Sequence, residues 1–329
     1  MILILSKSNE EFSTNAIIEY LNIYKANYFR FNGDDFINGK VEVNFFINNN
    51  SEWDFNIYDI ESEKEFSKKD VNVIWFRRHF AFEVYDDNEI GNRYLMRELR
   101  RVYSLFEIIL TDCIWINRDT DIDNKFLQLQ IAQKVGLFIP ISIITNNNKY
   151  INEYLNDKKS YITKSATEVI QIEYEKYIKH ISTHRIKLDN IKEPFFFPSY
   201  VQEEIVKEYE VRVFYFFSKL YAIAIFSQKN KKTQLDFRNY DFDKPNRRCK
   251  YILSKEIERK IISLMNKLKM NSGSIDLIKG IDNKYYFLEV NPVGQFGFVS
   301  KFGNYNLEKI ISHKLIRIDE KQKNKTINV

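Results

Sequence analysis

Two extended apolar segments near the C-terminus constrain the fold more than any other part of the sequence. Residues 274–278 and 285–290 are rich in β-branched and aromatic side chains, and residues 280–283 between them are typical of a turn. The short connection between two such segments predicts a β-hairpin. Because side chains alternate between the two faces of a strand, every second residue of this hairpin is expected to face the same side.

The predicted hairpin brings two carboxylates and an amide together. A turn centred between Asp282 and Asn283 places Asp276 directly opposite Glu289, and Asn291 follows on the same side. Like charges opposite each other destabilise a sheet, so a cation is expected between them. Magnesium binds one or two carboxylates together with phosphate oxygens. These three side chains therefore predict a magnesium–nucleotide site. The alternative is an exposed hairpin with scattered polar residues.

Length, charge and cysteine content restrict the class of protein. A chain of 329 residues is too long for one simple core and predicts two or three subdomains. The formal charge of +5 is a mild excess, and no recognition motif indicates a nucleic-acid partner. Cys113 and Cys249 are too few for a disulfide framework, so a reduced, cytoplasmic setting is expected. No apolar segment has the length of a membrane span, and no membrane partner is expected.

The first 112 residues predict an N-terminal α/β domain. They open with an apolar segment and then an amphipathic one, in the order of a strand followed by a helix. Ser8 and Glu11 fit a capping box at the start of that helix. The other predicted elements are strands at residues 28–31, 41–47, 54–58 and 71–76 and a long helix at 92–110.

Two further subdomains and a tail are predicted after the first domain. The central subdomain contains a helix over residues 123–135 that ends at Gly136, and a helix with a linker in residues 168–192. The C-terminal subdomain contains a second hairpin, over residues 210–226, and an amphipathic helix over 254–270. The predicted boundaries are 1–112, 113–193, 194–318 and a charged, frayed tail at 319–329.

The C-terminal hairpin resembles the metal-binding core of the ATP-grasp ligases. In that family an Asp on one strand and Glu-x-Asn on the next hold Mg–ATP, as Asp276 and the segment LEVNP would here. The longer pattern IDLI…YYFLEVNPVGQFGF is similar to the narrower branch of ATP-grasp maturases that make graspetides, the microviridin-type peptides. The resemblance implies an α/β ATP-grasp fold, in which a pre-ATP-grasp domain precedes the central and C-terminal domains that clamp ATP.

The resemblance also implies roles for residues between 125 and 238. Two lysines and an arginine would contact the nucleotide phosphates, a hinge would bind adenine, and an acidic residue would bind the ribose hydroxyls. An arginine on the same strand face as that acidic residue would face the same cleft. In this sequence the matching positions are Lys125, Lys164 and Arg238 for the phosphates, Gln202, Glu203, Glu204 and Ile205 for the hinge, Glu210 for the ribose, and Arg212 beside it. Lys164, Arg212 and Arg238 are the candidate catalytic residues.

Two segments near these positions, residues 165–168 and 229–250, have unusual compositions for loops. Many ATP-grasp enzymes have a glycine-rich loop after the strand lysine, whereas residues 165–168 contain no glycine. Residues 229–250 are polar and unusually long for a structureless loop in a compact domain, which indicates a functional or disordered segment. We predict a lid that becomes ordered on binding, with Arg238 as its important residue.

A pair of arginines follows the predicted strand at residues 71–76. Two guanidinium groups at the end of a strand favour capture of carboxylate or phosphate, and the alternative is a solvated strand end. The segment Trp-x-Arg-Arg resembles that of the graspetide ligases, which implies that Arg77 and Arg78 contact the substrate. Those ligases usually continue with proline, where this chain has His79, for which a structural role is expected.

The implied activity is ATP-dependent joining of a carboxylate to an alcohol or amine with release of ADP. The substrate implied by the resemblance is a ribosomal precursor peptide with a leader and an acidic, Thr-rich core, whose Asp or Glu side chains are joined to Thr, Ser or Lys. ATP and Mg²⁺ are the expected cofactors. Alternatives are a ligase that adds a free amino acid, such as glutamate, and a non-catalytic nucleotide-binding protein. The oligomeric state stays open, with a homodimer among the options.

Overall fold

A computed structural model covers the whole chain. The residues it describes are 1–7, 12–50, 52–77, 79, 89–118, 124–155, 159–166, 171–174, 177–180, 183–187 and 191–327. The predicted capping box at Ser8 and Glu11 lies outside these residues.

Tertiary contacts divide the chain into two compact units. One consists of Met1–Asp121, Gln295–Ser300 and Asn306–Val329, and the other of Ile122–Gly294 and Lys301–Tyr305. The first unit extends beyond the predicted boundary at residue 112, because the strand at Ile114–Ile116 belongs to its sheet.

The first unit is built on a parallel sheet, in line with the predicted α/β class. Its strands are β1 (Ile2–Ser6), β2 (Tyr28–Asn32), β3 (Val41–Ile47), β4 (Trp53–Asp59), β5 (Lys64–Ser67), β6 (Val73–Phe76) and β7 (Ile114–Ile116). The parallel sheet has the order β2-β1-β6-β7, and an antiparallel sheet has the order β3-β4-β5. The part of this unit before residue 122 also contains the helices α1 (Phe12–Ile23) and α2 (Glu89–Ile109) and a 3₁₀ turn at Lys68–Asp70. Buried aliphatic and aromatic side chains of both sheets and α2 form one core.

The second unit contains the hairpins and two larger antiparallel sheets. Its strands are β8 (Ser142–Asn147), β9 (Tyr161–Thr163), β10 (Gln171–Tyr174), β11 (Tyr177–His180), β12 (His184–Ile186), β13 (Phe195–Glu203), β14 (Lys207–Phe216), β15 (Lys219–Phe226), β16 (Arg247–Tyr251), β17 (Ser272–Gly280) and β18 (Tyr285–Asn291). The sheets have the orders β12-β9-β13-β8 and β16-β15-β14-β17-β18, and β10 pairs with β11. The helices are α3 (Lys125–Lys134), α4 (Asn148–Tyr154) and α5 (Lys255–Lys267).

Two predictions about the second unit are wrong in detail. Strands β10, β11 and β12 lie where a helix and linker were predicted, because β10 and β11 pair with each other and β12 pairs with β9. The predicted boundary at 193 lies between β12 and β13, and it stays a prediction. The predicted loop ends earlier than expected, since residues 247–250 belong to β16.

The C-terminal segment is helical and not a frayed tail. Helix α6 spans Gly297–Gly303, and α7 spans Leu307–Ile327. The buried face of α7 continues through Ile318 to Asp319, which is 4% exposed. The Asp319 carboxylate lies 2.9 Å from the Met1 ammonium and accepts a 2.6 Å hydrogen bond from the Asn72 amide. These contacts fix the helix beyond the point where the charge of the sequence predicted fraying. No helix among the described residues is both long and apolar enough to cross a membrane.

Candidate functional site

The hairpin of β17 and β18 places its two carboxylates opposite each other, as predicted. Asp276 pairs with Glu289 across the two strands. The turn, however, is not centred between Asp282 and Asn283 as predicted. Lys279 pairs with Tyr285, so the turn is centred on Asp282. A one-residue bulge in β18, immediately before Glu289, restores the opposition of the carboxylates.

An arginine on the neighbouring strand offsets the charge of Asp276. Arg212 pairs with Asp276 in the β14–β17 register, and its Nη1 lies 2.7 and 2.6 Å from the two carboxylate oxygens. Asp276 is 7% exposed. Burial raises the pKa of its carboxyl group above the usual range; Arg212 lowers it and Glu289 raises it further. The ion pair with Arg212 therefore stabilises the ionised form of Asp276, which burial disfavours.

Two cations from other elements contact Glu289. Lys125 Nζ lies 3.1 Å from one carboxylate oxygen, and Arg238 Nη1 lies 3.5 Å from the other. Burial alone would raise the pKa of Glu289, but Lys125, Arg238 and Lys164 bring it below the usual range. Glu289 is therefore ionised at neutral pH, next to three cations.

Lys125 occupies the first position of α3, whose N-cap is Asn124. The Asn124 side chain accepts hydrogen bonds from the amides of the second and third helical residues, and the first turn contains no acidic residue. A cation gains nothing from the helix dipole at this end. The ion pair with Glu289 explains why a lysine is nevertheless found there.

Lys164 follows strand β9 and points into the same group of charges. Its ammonium lies 5.2 Å from the centroid of the Tyr200 ring. Burial lowers the pKa of Lys164 to about 8; Glu289 raises it, and Lys125 and Arg238 lower it. The Lys164 charge is thus sensitive to pH and to any anion that enters the cleft.

The segment between β15 and β16 contributes Arg238. Its guanidinium donates to both Asp236 oxygens at 2.8–3.1 Å, and its backbone amide donates to Asp236 Oδ1 at 3.0 Å. Burial raises the pKa of Asp236, but these bonds outweigh burial and the pKa is lowered. Lys207 Nζ also donates to the Leu235 carbonyl at 2.9 Å. This segment has defined contacts at the cleft, and its ordering on binding stays a prediction.

Glu210 is buried at 4% exposure beside the cleft. It accepts hydrogen bonds from Lys207 Nζ and, at 2.6 Å, from Ser227 Oγ. Burial raises the pKa of its carboxyl group, and the bonds from Lys207 and Ser227 oppose that shift. The carboxylate retains acceptor capacity, because each of its oxygens can accept more than one hydrogen bond.

The predicted hinge begins in the last two residues of β13 and continues to Ile205, and some of its backbone amides are already hydrogen-bonded. The amides of Glu203 and Glu204 donate to the carbonyls of Ile141 and Ser160, each at 2.8 Å. The amide of Ile205 makes no such bond to another described residue. The three side chains before Ile205 are also held, Gln202 by Ser142 and Tyr200, Glu203 by Lys159 and Glu204 by Arg185.

One cleft of the second unit gathers nearly all of the predicted nucleotide residues. Its volume is about 310 Å³. Apolar side chains such as Ile162, Val206 and Leu277 form part of its wall. The predicted residues that line it are Lys125, Lys164, Gln202, Glu203, Glu204, Ile205, Glu210, Arg238, Asp276 and Glu289. Arg212 does not line the cleft itself but forms an ion pair with Asp276, which does.

Asn291 lies two residues after Glu289 on β18, on the same face of the hairpin. It pairs with Ser274, and its Oδ1 accepts a 3.0 Å hydrogen bond from the Gly294 amide. Gly294 has a φ of +54°, and a Cβ atom there would lie 3.0 Å from the Ser274 backbone nitrogen. Only glycine fits this turn without strain. The turn fixes the Asn291 carboxamide beside the carboxylates while leaving one lone pair of Oδ1 for another partner.

Gln128 is a residue that sequence reasoning missed. It is fully buried in α3, and its side chain donates to the Val290 carbonyl at 3.0 Å and accepts from the Val290 amide at 2.8 Å. The Gln128 side chain thus satisfies both backbone groups of Val290 on the outer edge of β18, where Phe138 accepts from the Phe287 amide. It thereby fixes the strand that carries Glu289 and Asn291. The only sequence signal is a glutamine one turn after Lys125 among apolar residues of the helix.

The predicted substrate arginines belong to the first unit. Arg77 is 3% exposed, donates to Ser13 Oγ at 2.9 Å, and lies 5.1 and 5.6 Å from the ring centroids of Trp75 and Phe296. These contacts account for Arg77 without a substrate, and its role in substrate binding stays a prediction. Arg78 lies outside the described residues. His79 is 1% exposed, with Nδ1 3.2 Å from the Ser6 carbonyl, and burial lowers its pKa to about 4.

The oxygen donors fit a hard divalent cation better than a soft one. Asp276, Glu289 and Asn291 offer carboxylate and amide oxygens, which magnesium prefers when phosphate oxygens complete its coordination. No group of three or more His, Cys, Asp or Glu side chains suited to a metal occurs among the described residues. The arrangement therefore fits a metal that arrives with a phosphorylated ligand. Four cations, at Lys125, Lys164, Arg212 and Arg238, surround the carboxylates and would favour that anion.

Comparison with known proteins identifies the fold. Residues 1–122 match the sequence family described as the MvdD pre-ATP grasp domain. No curated protein sequence matches the chain. The macrocyclase MdnC of Microcystis aeruginosa MRC, solved with the precursor peptide MdnA, superposes with a TM-score of 0.80 at 24% identity over 96% of this chain and 99% of its own. A RiPP-associated ATP-grasp ligase of Chryseobacterium gregarium, solved with ADP and a leader and core peptide, gives 0.81 at 24% identity over 98% and 96%. The ATP-grasp fold predicted from the sequence is confirmed.

The contacts of Gln128 predict a specific effect on stability. Gln128→Leu keeps the volume of the side chain but leaves the buried amide and carbonyl of Val290 without partners, so we expect the free energy of unfolding to fall by about 3 kcal/mol. Gln130→Leu, at an exposed position of the same helix, should change it by less than about 0.5 kcal/mol. Urea unfolding of both variants measures the difference. Equal stability of the two variants would contradict the role given to Gln128.

Proposed function

We propose that this chain is an ATP-dependent peptide maturase of the graspetide type. The observation that carries the proposal is the cleft of the second unit, in which residues from α3, β9, β13, β14, β17, β18 and the segment after β15 converge. Its charges suit a magnesium-bound triphosphate, and the N-terminal match and the ATP-grasp fold agree with that ligand.

The cleft suggests how the nucleotide would bind. The Ile205 amide is the hinge donor for the adenine edge, because the amides of Glu203 and Glu204 are used within the protein. Glu210 would accept from the ribose hydroxyls. Lys164 and Arg238 would contact the phosphates, and Lys125 would exchange part of its ion pair with Glu289 for a phosphate. Asp276, Glu289 and Asn291 would hold magnesium, which neutralises phosphate charge when bound.

The proposed reaction has two steps. A carboxylate oxygen of the peptide attacks the γ-phosphorus of ATP, the bond from that phosphorus to the β–γ bridging oxygen breaks, and ADP leaves. A hydroxyl or amine of the same peptide then attacks the acyl carbon, phosphate leaves, and the proton of the nucleophile goes to solvent. Lys164, Arg212 and Arg238 position the reacting groups and offset the negative charge that develops, and no Ser–His or Cys–His pair is required.

The peptide substrate is proposed from the relatives. MdnC was solved with a precursor peptide, and the Chryseobacterium gregarium ligase with ADP and a leader and core peptide. For this chain we propose a ribosomal precursor with an acidic, Thr-rich core, whose Asp or Glu side chains form esters with Thr or Ser or amides with Lys. Contact of this peptide with Arg77 and Arg78 and a cytoplasmic location belong to the same proposal.

A direct assay separates this function from a ligase for free amino acids. The protein is incubated with Mg–ATP and either an acidic Thr-rich peptide or free glutamate. We expect ADP release and loss of one water per crosslink from the peptide, detected by mass spectrometry. ADP release with glutamate alone, with a peptide of unchanged mass, would favour the free-amino-acid ligase. ADP release with neither would favour a non-catalytic nucleotide-binding protein.

The metal assignment predicts the effect of two substitutions. Glu289→Ala or Asn291→Ala removes one proposed ligand, and we expect the peptide-dependent release of ADP to fall by about a hundredfold or more while the protein still folds. Asp282→Ala removes an exposed carboxylate from the turn of the same hairpin and serves as the control. Normal turnover of either ligand variant would refute the assignment, and circular dichroism tests whether both fold.

The pKa of Lys164 predicts a pH dependence of nucleotide binding. Because its pKa is lowered to about 8, the side chain loses its charge as the pH rises through that value, whereas bound phosphate favours the charged form. ADP affinity should therefore fall between pH 7 and 9.5, with uptake of up to about half a proton per ADP at pH 8. Lys164→Arg keeps the charge at all these pH values and should abolish the dependence. Calorimetry in buffers of different ionisation enthalpy measures the uptake, and no uptake at pH 8 would contradict the phosphate contact.

A further inference from the structure

An irregularity at the start of β14 turns a lysine toward the nucleotide cleft. Tyr209 pairs with Lys279, but Lys207 pairs with Gly280, so two steps along β14 match one step along β17. Strand β14 therefore has one extra residue here, which makes a β-bulge. On a regular strand, side chains three positions apart face opposite sides. The bulge reverses this order, and Lys207 and Glu210 both line the cleft.

The Lys207 ammonium bridges the proposed ribose carboxylate and the segment that follows β15. Its Nζ donates to Glu210 Oε1 and, at 2.9 Å, to the Leu235 carbonyl. The side chains of Lys207 and Glu210 are only 8% and 6% exposed. Two opposite charges attract each other more strongly when little water lies around them. We therefore expect the ammonium to keep this one position between the strand and the segment.

A second contact joins Glu210 to the same segment. Ser227, the first residue after β15, donates from Oγ to Glu210 Oε2 at 2.6 Å. Gln228 Nε2 donates to the Gln234 carbonyl at 3.3 Å, which ties the beginning of the segment to the stretch next to Leu235. One oxygen of Glu210 is thus held by Ser227 and the other by Lys207. The orientation of this carboxylate therefore depends on where the segment lies.

The segment leads from this contact to the phosphate end of the cleft. Leu235 precedes Asp236, whose carboxylate holds the Arg238 guanidinium at 2.8–3.1 Å. The Arg238 amide also donates to Asp236 Oδ1 at 3.0 Å, so the two residues move as one piece. A displacement of this piece would change the position of Arg238 and, through Lys207, the orientation of Glu210.

We propose that Lys207 is a positioning residue that couples recognition of the ribose hydroxyls by Glu210 to the contact of Arg238 with the phosphates. The inference rests on the proposed function and states how two parts of the nucleotide site depend on each other. Ribose hydroxyls that donate to Glu210 would favour the carboxylate orientation that Lys207 supports, and with it the segment position that suits Arg238. The effect is reciprocal, so the phosphate contact should in turn strengthen ribose recognition.

The competing explanation is that Lys207 only neutralises a buried carboxylate. Glu210 needs that compensation whether or not Arg238 is in place. Both explanations predict weaker ribose recognition when Lys207 is replaced. They differ in the effect of Arg238, because only coupling through the segment makes ribose recognition depend on a side chain that contacts the phosphates.

The test measures ribose recognition as the dissociation constant of 2′,3′-dideoxy-ADP divided by that of ADP. Calorimetry with the full chain and Mg²⁺ gives this ratio for wild type, Arg238→Gln, Lys207→Met and the double variant. We expect a ratio of about ten in wild type. In all three variants we expect about three, because each one breaks the same link and the two substitutions therefore do not add. Lys219→Met, at an exposed position of β15, is the control and should keep the wild-type ratio.

A second variant guards against misfolding. Lys207→Met removes a charged donor from Glu210, and thermal unfolding shows whether this protein and the others fold. Lys207→Gln retains a donor for Glu210, but its shorter side chain is not expected to reach the Leu235 carbonyl at the same time. Its ratio should again be about three.

Three outcomes would overturn the inference while leaving the proposed function intact. One is a wild-type ratio in Arg238→Gln or in a folded Lys207 variant. Another is a ratio in the double variant that is lower than in either single variant, which would show independent effects. The third is a ratio near one in wild type, which would remove the ribose role of Glu210. Failure of wild type to bind Mg–ADP would instead remove the proposed function, and this inference with it.

Discussion

The structure of the second unit depends on the opposition of two carboxylates across one hairpin. Asp276 and Glu289 repel each other at this position, and burial disfavours both charges. Arg212, Lys125 and Arg238 compensate, and they come from a neighbouring strand, a helix start and a connecting segment. Loss of one member of a buried charge group is typically destabilising by about 3–5 kcal/mol, because its partners stay behind unpaired. The same side chains therefore contribute both to the stability of the fold and to the proposed nucleotide site.

The cations next to Asp276 and Glu289 give this end of the cleft its chemical character. Lys164 is one of them, and burial lowers its pKa, with a further lowering from Lys125 and Arg238 that Glu289 opposes. An anion that entered beside Lys164 would favour its charged form. The two hydrogen bonds between Gln128 and Val290 support the outer side of β18, where Phe138 also forms an isolated bridge with Tyr286.

Much of the site could be predicted because its residues lie in short local patterns. The hairpin alternation placed Asp276 opposite Glu289, although a shifted turn and a bulge were both needed to produce that pairing. Some elements were predicted less well. Strands β10 to β12 replace a predicted helix, and α7 continues beyond residue 319, because sheet pairing and the burial of Asp319 depend on residues elsewhere in the chain. Gln128 escaped notice for the same reason, since its partner is 162 residues away.

The sequence by itself determined the periodicity of the strands, the order of the charged residues along the chain and the resemblance to the ATP-grasp ligases. These properties are local or linear, so they can be read without coordinates. Only the tertiary structure decided which cations neutralise which carboxylates, which hinge amide stays available, and that Gln128 supports the strand of Glu289. Those facts depend on register across several strands, and register is set by long-range backbone pairing that no single segment contains.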